Sequence, residues 1–162
     1  MDSPKKLNKI KVVIPFYNPG DYIEMCINSI LTQDYENYEV LFIDDASTDG
    51  AYEKIPACTF ETDEKGQPKL NEDGSLIILE KHPLLEETKC LNVQAWRGSS
   101  RATALPNIHN GIMHFCTDPD DIVVILDGDD HLLGRSALSF INDFYNKNPE
   151  CWFMYGSSIW TD

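Results

Sequence analysis

The sequence predicts an α/β fold with a mainly parallel central sheet flanked by helices, and three observations predict it. A short β-branched run, Ile10–Ile14, is followed by a helical apolar period and then by a second such run, Tyr38–Ile43. Strand, helix, strand with short links is a βαβ unit, which requires parallel pairing and a right-handed crossover. Further on, Ile122-Val123-Val124-Ile125-Leu126 runs straight into Asp127-Gly128-Asp129-Asp130. That pattern is expected of a strand buried on both faces, whose end lies at the carboxyl edge of the sheet.

The elements follow in order. Residues 1–9 are polar and expected to fray. After the first strand, Phe16-Tyr17-Asn18-Pro19-Gly20 is turn chemistry and Asp21 is placed to cap a helix. Ile23, Cys26, Ile27, Ile30 and Leu31 recur at helical spacing, so they form its buried face. The second strand also ends in acid, Asp44-Asp45-Ala46-Ser47-Thr48-Asp49. A short helix is expected at Ala51–Ile55. Residues 56–98 form an irregular, insertion-rich region. Its polar part, Pro56–Ser75, contains Gly66, Pro68 and Gly74 and suggests a hairpin whose second arm is Leu76–Leu79. Cys90–Trp96 reads as another strand. Ser99 or Ser100 is expected to cap a helix that buries Leu105, Ile108, Ile112 and Phe115, with Pro106 in its first turns. Asp118-Pro119-Asp120 is a turn. Ser136–Lys147 is a final amphipathic helix through Ala137, Phe140, Ile141 and Phe144, and Cys151–Tyr155 is a last strand. Trp152, Trp160 and the phenylalanines are expected in the core rather than at a ligand-stacking platform, whereas Trp96 suits either role.

The whole chain, 1–162, is read as a single domain with a proper core. The formal charge of −14, with no basic cluster, argues against nucleic acid and anionic membranes as partners. Five widely spaced cysteines without C-x-x-C or a secretory leader predict free thiols and a reducing, cytoplasmic setting. No apolar run approaches the length of a transmembrane helix.

The chemistry lies in the strand ends. In a parallel sheet Pro15–Asn18, Asp44-Asp45 and Asp127–Asp129 fall at one edge, and their convergence marks a site. Asp127 and Asp129 can turn two carboxylates toward one point, with Gly128 permitting close backbone approach. Carboxylate oxygens alone suit a hard cation, Mg²⁺ or Mn²⁺. A calcium loop counted from Asp127 fails, because its sixth and twelfth positions are Leu132 and Leu138. Neither G-x-G-x-x-G nor G-x-x-x-x-G-K-S/T is present, so phosphate would be held through metal.

The segment VVIPFYNPGDYIEMCINSILTQDYENYEVLFIDDASTDG, followed by VVILDGDD, resembles the family 2 glycosyltransferases of GT-A (Rossmann-like) fold. The resemblance covers residues ~10–55 and ~100–155 in order. It implies an inverting, metal-dependent enzyme that takes a nucleoside-diphosphate sugar, with Mn²⁺ or Mg²⁺ as cofactor, to an unidentified acceptor (a glycan, lipid or protein). By the same resemblance Pro15, Phe16, Tyr17 and Asn18 line the nucleoside pocket and Asp45 hydrogen-bonds the base. Asp127 and Gly128 lie at the donor, and Asp127 and Asp129 form the D-x-D metal element. An ionised Asp45 can only accept hydrogen bonds, which suits uracil and hence a UDP-sugar. Arg101 is assigned to the donor phosphates. Where many relatives carry Arg-Asn, this chain has Ile108 and His109. His131 stands near the acidic cluster, while His109 and His114 are placed on the preceding helix without a catalytic role. No residue matches the family's general base, and the C-terminal acceptor portion is absent from these 162 residues. Transfer by this chain is therefore expected to be weak. The alternatives are a non-catalytic nucleotide-sugar binding module that needs a partner, and a sugar-phosphate nucleotidyltransferase.

Overall fold

The computed structural model describes residues 6–64, 69–72 and 76–157. Gly66, Pro68, Gly74, Ser75 and Trp160, all named above, lie outside the described residues. Four strands form one parallel sheet in the order β5-β2-β1-β6, from β1 (Ile10–Phe16), β2 (Tyr38–Asp44), β5 (Val93–Arg97) and β6 (Ile122–Ile125). A small antiparallel pair, β3 (Thr59–Phe60) and β4 (Ile78–Glu80), lies in the irregular region, where a hairpin was expected. Between β2 and β3 the expected short helix is a single 3₁₀ turn, Tyr52–Lys54.

Strand alternation divides the core. Val12, Ile14, Phe16, Val40 and Phe42 share a cluster with Ile23, Cys26, Ile27, Ile30 and Leu31 of helix α1 (Tyr22–Leu31), and with Leu138 of helix α3 (Ala137–Lys147). Val13, Leu41 and Ile43 point the other way, onto Phe115 of helix α2 (Ala104–Phe115). Gly111 brings α2 down on that face, since a Cβ there would lie 2.7 Å from Ile43 Cδ1.

Several expectations are corrected. The strand expected to be buried on both faces, β6, is an edge strand that pairs only with β1 among the described residues, and Ile125 is 50% exposed. The doubly buried strands are β1 and β2, every residue of which is buried. Residues 6–9 do not fray. Asn8 donates through N and Nδ2 to Asn142 Oδ1 (3.1 and 2.8 Å), and Asn146 Nδ2 donates to Lys6 O. These bonds rotate α3, so that it buries Leu138 and Asn142 and turns Phe140 outward. Leu105 is likewise exposed on the first turn of α2. Asp21 sits at the α1 N-cap without a side-chain cap bond and faces Lys54 instead. The α2 N-cap is Thr103, not Ser99 or Ser100. Cys151–Tyr155 has no partner strand among the described residues and forms none, which leaves Trp152 95% exposed rather than in the core. All five cysteines are free. No helix among the described residues is long and apolar enough to cross a membrane.

Candidate functional site

The carboxyl edge of the sheet is stitched together by its loops. Asp45 N donates to Phe16 O (2.9 Å), Asn18 N to Ser47 Oγ (3.0 Å), and Thr48 N to Asn18 Oδ1 (2.8 Å). Asn18 takes φ 46° to do this, a left-handed conformation that asparagine tolerates better than most residues. Beneath them Arg97 acts as a clamp. Its Nε lies 3.1 Å from Asp44 Oδ2, Nη1 donates to Glu53 and Nη2 to Ser47 O, and its guanidinium lies over the Tyr52 ring. A buried Asp44 carboxylate needs such a partner to offset its desolvation.

Asp45 joins β2 to α2. Its Oδ1 accepts from Ala102 N (2.7 Å) and Asn107 Nδ2 (2.9 Å), and its Oδ2 from Thr103 N (3.0 Å). Thr103, at φ 74°, supplies no cap bond of its own, and the Asp45 carboxylate instead fixes the two residues that lead into the helix and the Asn107 side chain of its second turn. Burial pushes the Asp45 carboxyl up, but the amides of Ala102, Asn107 and Thr103 and the Arg101 charge outweigh it and hold it below its ordinary value.

On the other side, β6 continues to pair with β1 past its last regular residue. Leu126 N donates to Val13 O (3.2 Å) and Gly128 N to Pro15 O (3.0 Å). A Cβ at Gly128 would stand 2.4 Å from Phe16 Cβ, so only glycine allows this approach. Asp127 and Asp129 are thereby held beside the β1 turn. Desolvation, then the charges of Asp129 and Asp130, push Asp127 above its ordinary value. Cys26 lies behind them, its thiol 3.9 Å from Asp127 O and pushed up to about 12 by burial and by Asp130, Asp129 and Asp127. It is an inert thiol.

A cavity of about 230 Å³ opens where the three strand ends meet. Pro15, Phe16, Tyr17, Asp45, Arg101, Asp127 and Asp129 line it. Its volume is below the ~300–1,000 Å³ of drug-sized ligand pockets.

The model of Glycosyl transferase family 2 matches residues 11–63. That segment is similar to family 2 glycosyltransferase sequence. Two glycosyltransferases of Streptococcus pneumoniae serotype 4 align with this region. GlyG is 48% identical over 27% of this chain and 15% of its own length, and GlyA is 44% identical over 28% of this chain and 7% of its own. Among solved structures, S. aureus TarS 1–349 in complex with UDP-GlcNAc superposes with TM-score 0.54 and 21% identity, over 86% of this chain and 31% of that one. Mannosyltransferase PcManGT from Pyrobaculum calidifontis, in complex with GDP-Man and Mn²⁺, superposes with TM-score 0.57 and 24% identity, over 84% of this chain and 32% of its own. The fold is GT-A. The chain spans under a third of the length of these relatives.

Of the residues expected at the site, Asn18 and Gly128 do not line the cavity. Asn18 ties the β1 and β2 loops together, and Gly128 is the contact point of β6 with β1. Pro19, Thr103, Ala104 and Asn107 line it without having been expected. Asn107 carried no signal in the sequence, because its Nδ2 meets a carboxylate from a distant strand. His131 is exposed and does not line the cavity. His109 and His114 lie on α2 as expected, the latter edge-on to the half-buried Trp96.

Proposed function

We propose that this chain binds a UDP-sugar at the carboxyl edge of the sheet, through a divalent cation shared between Asp127, Asp129 and the diphosphate. In this reading it is the donor-binding part of an inverting family 2 glycosyltransferase. The observation that carries the reading is the convergence of Tyr17, Asp45, Arg101, Asp127 and Asp129 on one cavity. TarS with UDP-GlcNAc and PcManGT with GDP-Man and Mn²⁺ share the fold and support it.

The donor set fits a hard cation that is completed by its ligand. No group of three or more His, Cys, Asp or Glu converges among the described residues. Mg²⁺ in nucleotide sites commonly takes one or two carboxylates and the substrate phosphates. Asp127 and Asp129 would hold it, and a cation would offset both the burial and the like-charge crowding that raise Asp127. Bound there, Mn²⁺ or Mg²⁺ supplies charge stabilisation for the departing diphosphate.

Asp45 favours uracil over guanine by a lone-pair count. A carboxylate offers about four acceptor positions. Ala102, Asn107 and Thr103 occupy three of them. One acceptor remains at Oδ2, which matches the single imide N–H of uracil, whereas guanine presents adjacent N1–H and N2–H donors to a carboxylate. Pro15 and Phe16 exclude water from that end. The inverting course rests on the family resemblance, and the acceptor is a glycan, lipid or protein hydroxyl.

Thermal melting tests this directly. UDP at millimolar concentration with Mn²⁺ raises the melting temperature, and neither UDP alone nor GDP with Mn²⁺ matches it. Asp129→Ala removes the metal-dependent part. The absence of any shift with UDP and Mn²⁺ together would sink the reading.

A further inference from the structure

One feature of the cavity does not fit a passive phosphate ligand. The Arg101 guanidinium carbon lies 3.8 Å over the centre of the Tyr17 ring, and Arg101 Nε stands 3.7 Å from Asp45 Oδ2. A flat, hydrogen-bonding group is therefore stacked on the aromatic face and aimed at the one acceptor that Asp45 has left. Those are the two contacts a pyrimidine ring would make there. We propose that Arg101 is an internal competitor for the base subsite, a role that rests on the donor-binding reading. An incoming base displaces it from Tyr17 and Asp45, and the released guanidinium then meets the diphosphate.

The geometry makes the exchange cheap. At 3.7 Å the contact with Asp45 is ionic and longer than a hydrogen bond, and the Arg101 side chain is 60% exposed. The backbone beside it is anchored, because Ala102 N and Thr103 N both donate to Asp45. The tip can leave while the stem stays. Among the cavity-lining residues Arg101 is the sole cation, against the carboxylates of Asp45, Asp127 and Asp129. Once a base N–H has taken the Asp45 acceptor, and with Asp127 and Asp129 engaged by the cation, the diphosphate is the anion left for the guanidinium to meet, where it can bind two oxygens at once.

The inference makes Arg101 act against a nucleoside and in favour of a nucleoside diphosphate. Isothermal titration of uridine, and of UDP with Mn²⁺, into the wild type, Arg101→Ala and Arg101→Gln reads both effects. Uridine is expected to bind about two- to fivefold tighter to both variants, the factor that an exposed cation–π contact corresponds to. UDP with Mn²⁺ is expected to bind about tenfold more weakly, as for loss of a charge-assisted pair. If uridine affinity is unchanged or falls in both variants while UDP still binds the wild type, the competitor role is wrong and donor binding stands. If the wild type binds neither uridine nor UDP with Mn²⁺, the donor-binding reading fails and takes this one with it.

Discussion

A methyl group at residue 128 would meet Phe16 Cβ at 2.4 Å, and a backbone-anchored β1 cannot give way by that much. Gly128→Ala is expected to cost about 1–3 kcal/mol through overpacking. It should also displace Asp127 and Asp129 together, so melting and UDP–Mn²⁺ affinity fall in the same variant. A normal melt with normal binding would contradict the close approach. Asp45 is the other residue with two duties, since it anchors the 102–103 backbone that leads into α2 and lines the cavity. Asp45→Asn is expected to cost about 1.5–3 kcal/mol at neutral pH, as loss of hydrogen bonds to a charged group does. The folded carboxyl lies below its ordinary value of 3.8, so its stabilisation is present above that value and is lost as pH falls through the folded one. The stability gap between wild type and Asp45→Asn should therefore close in acid, a convergence that denaturant titration at several pH values would show. Tyr17, Asp45, Asp127 and Asp129 were legible in the sequence because strand ends in a parallel sheet share an edge. Asn107 and Thr103 were not, because they enter through hydrogen bonds to a carboxylate on a distant strand.

At the scale of elements, α1 and the β1–α1–β2 order followed from periodicity, since its apolar face meets one side of the sheet and nothing else. β6 and α3 did not. An aliphatic run cannot report whether a neighbouring strand lies on each side of it, and Ile125 is half exposed for want of one among the described residues. The α3 face was turned by hydrogen bonds from Asn8, to which a hydrophobic pattern is blind. The two inner strands carry a further element-level feature that periodicity obscures. Lys11 and Glu39 are register partners on β1 and β2, both buried, with Lys11 donating to Glu39 and lying 4.4 Å over the Phe115 ring of α2. Burial would raise Glu39, but Lys11 and Lys9 hold it below its ordinary value. Removing one partner strands the other. Glu39→Ala is expected to cost about 3–5 kcal/mol. Lys11→Met with Glu39→Leu should recover most of that loss, because the apolar pair has no charge left to desolvate. Chemical denaturation of the single and double variants decides it.

For the whole molecule, the net charge of −14 and the open β6 edge act in opposition. Repulsion keeps copies apart, while an unpaired strand with Ile125 50% exposed invites edge pairing. Raising the salt to about 1 M shortens the Debye length to about 3 Å. Light scattering should then detect association that Ile125→Lys suppresses. An equal response in the variant would place the contact elsewhere. The register of β1 has a kinetic side as well. Its pairing with β2 joins segments linked by a single helix, but its pairing with β6 joins Ile10 to Ile122, near the far end of the described chain. Closing so long a loop is slow. The cavity is thus assembled in two instalments during folding. The Tyr17 turn and the Asp45 backbone can meet as soon as β2 has emerged, whereas the partners of the Asp45 carboxylate at 102–107, and Asp127 and Asp129, wait for the later part of the described chain to reach the first strand.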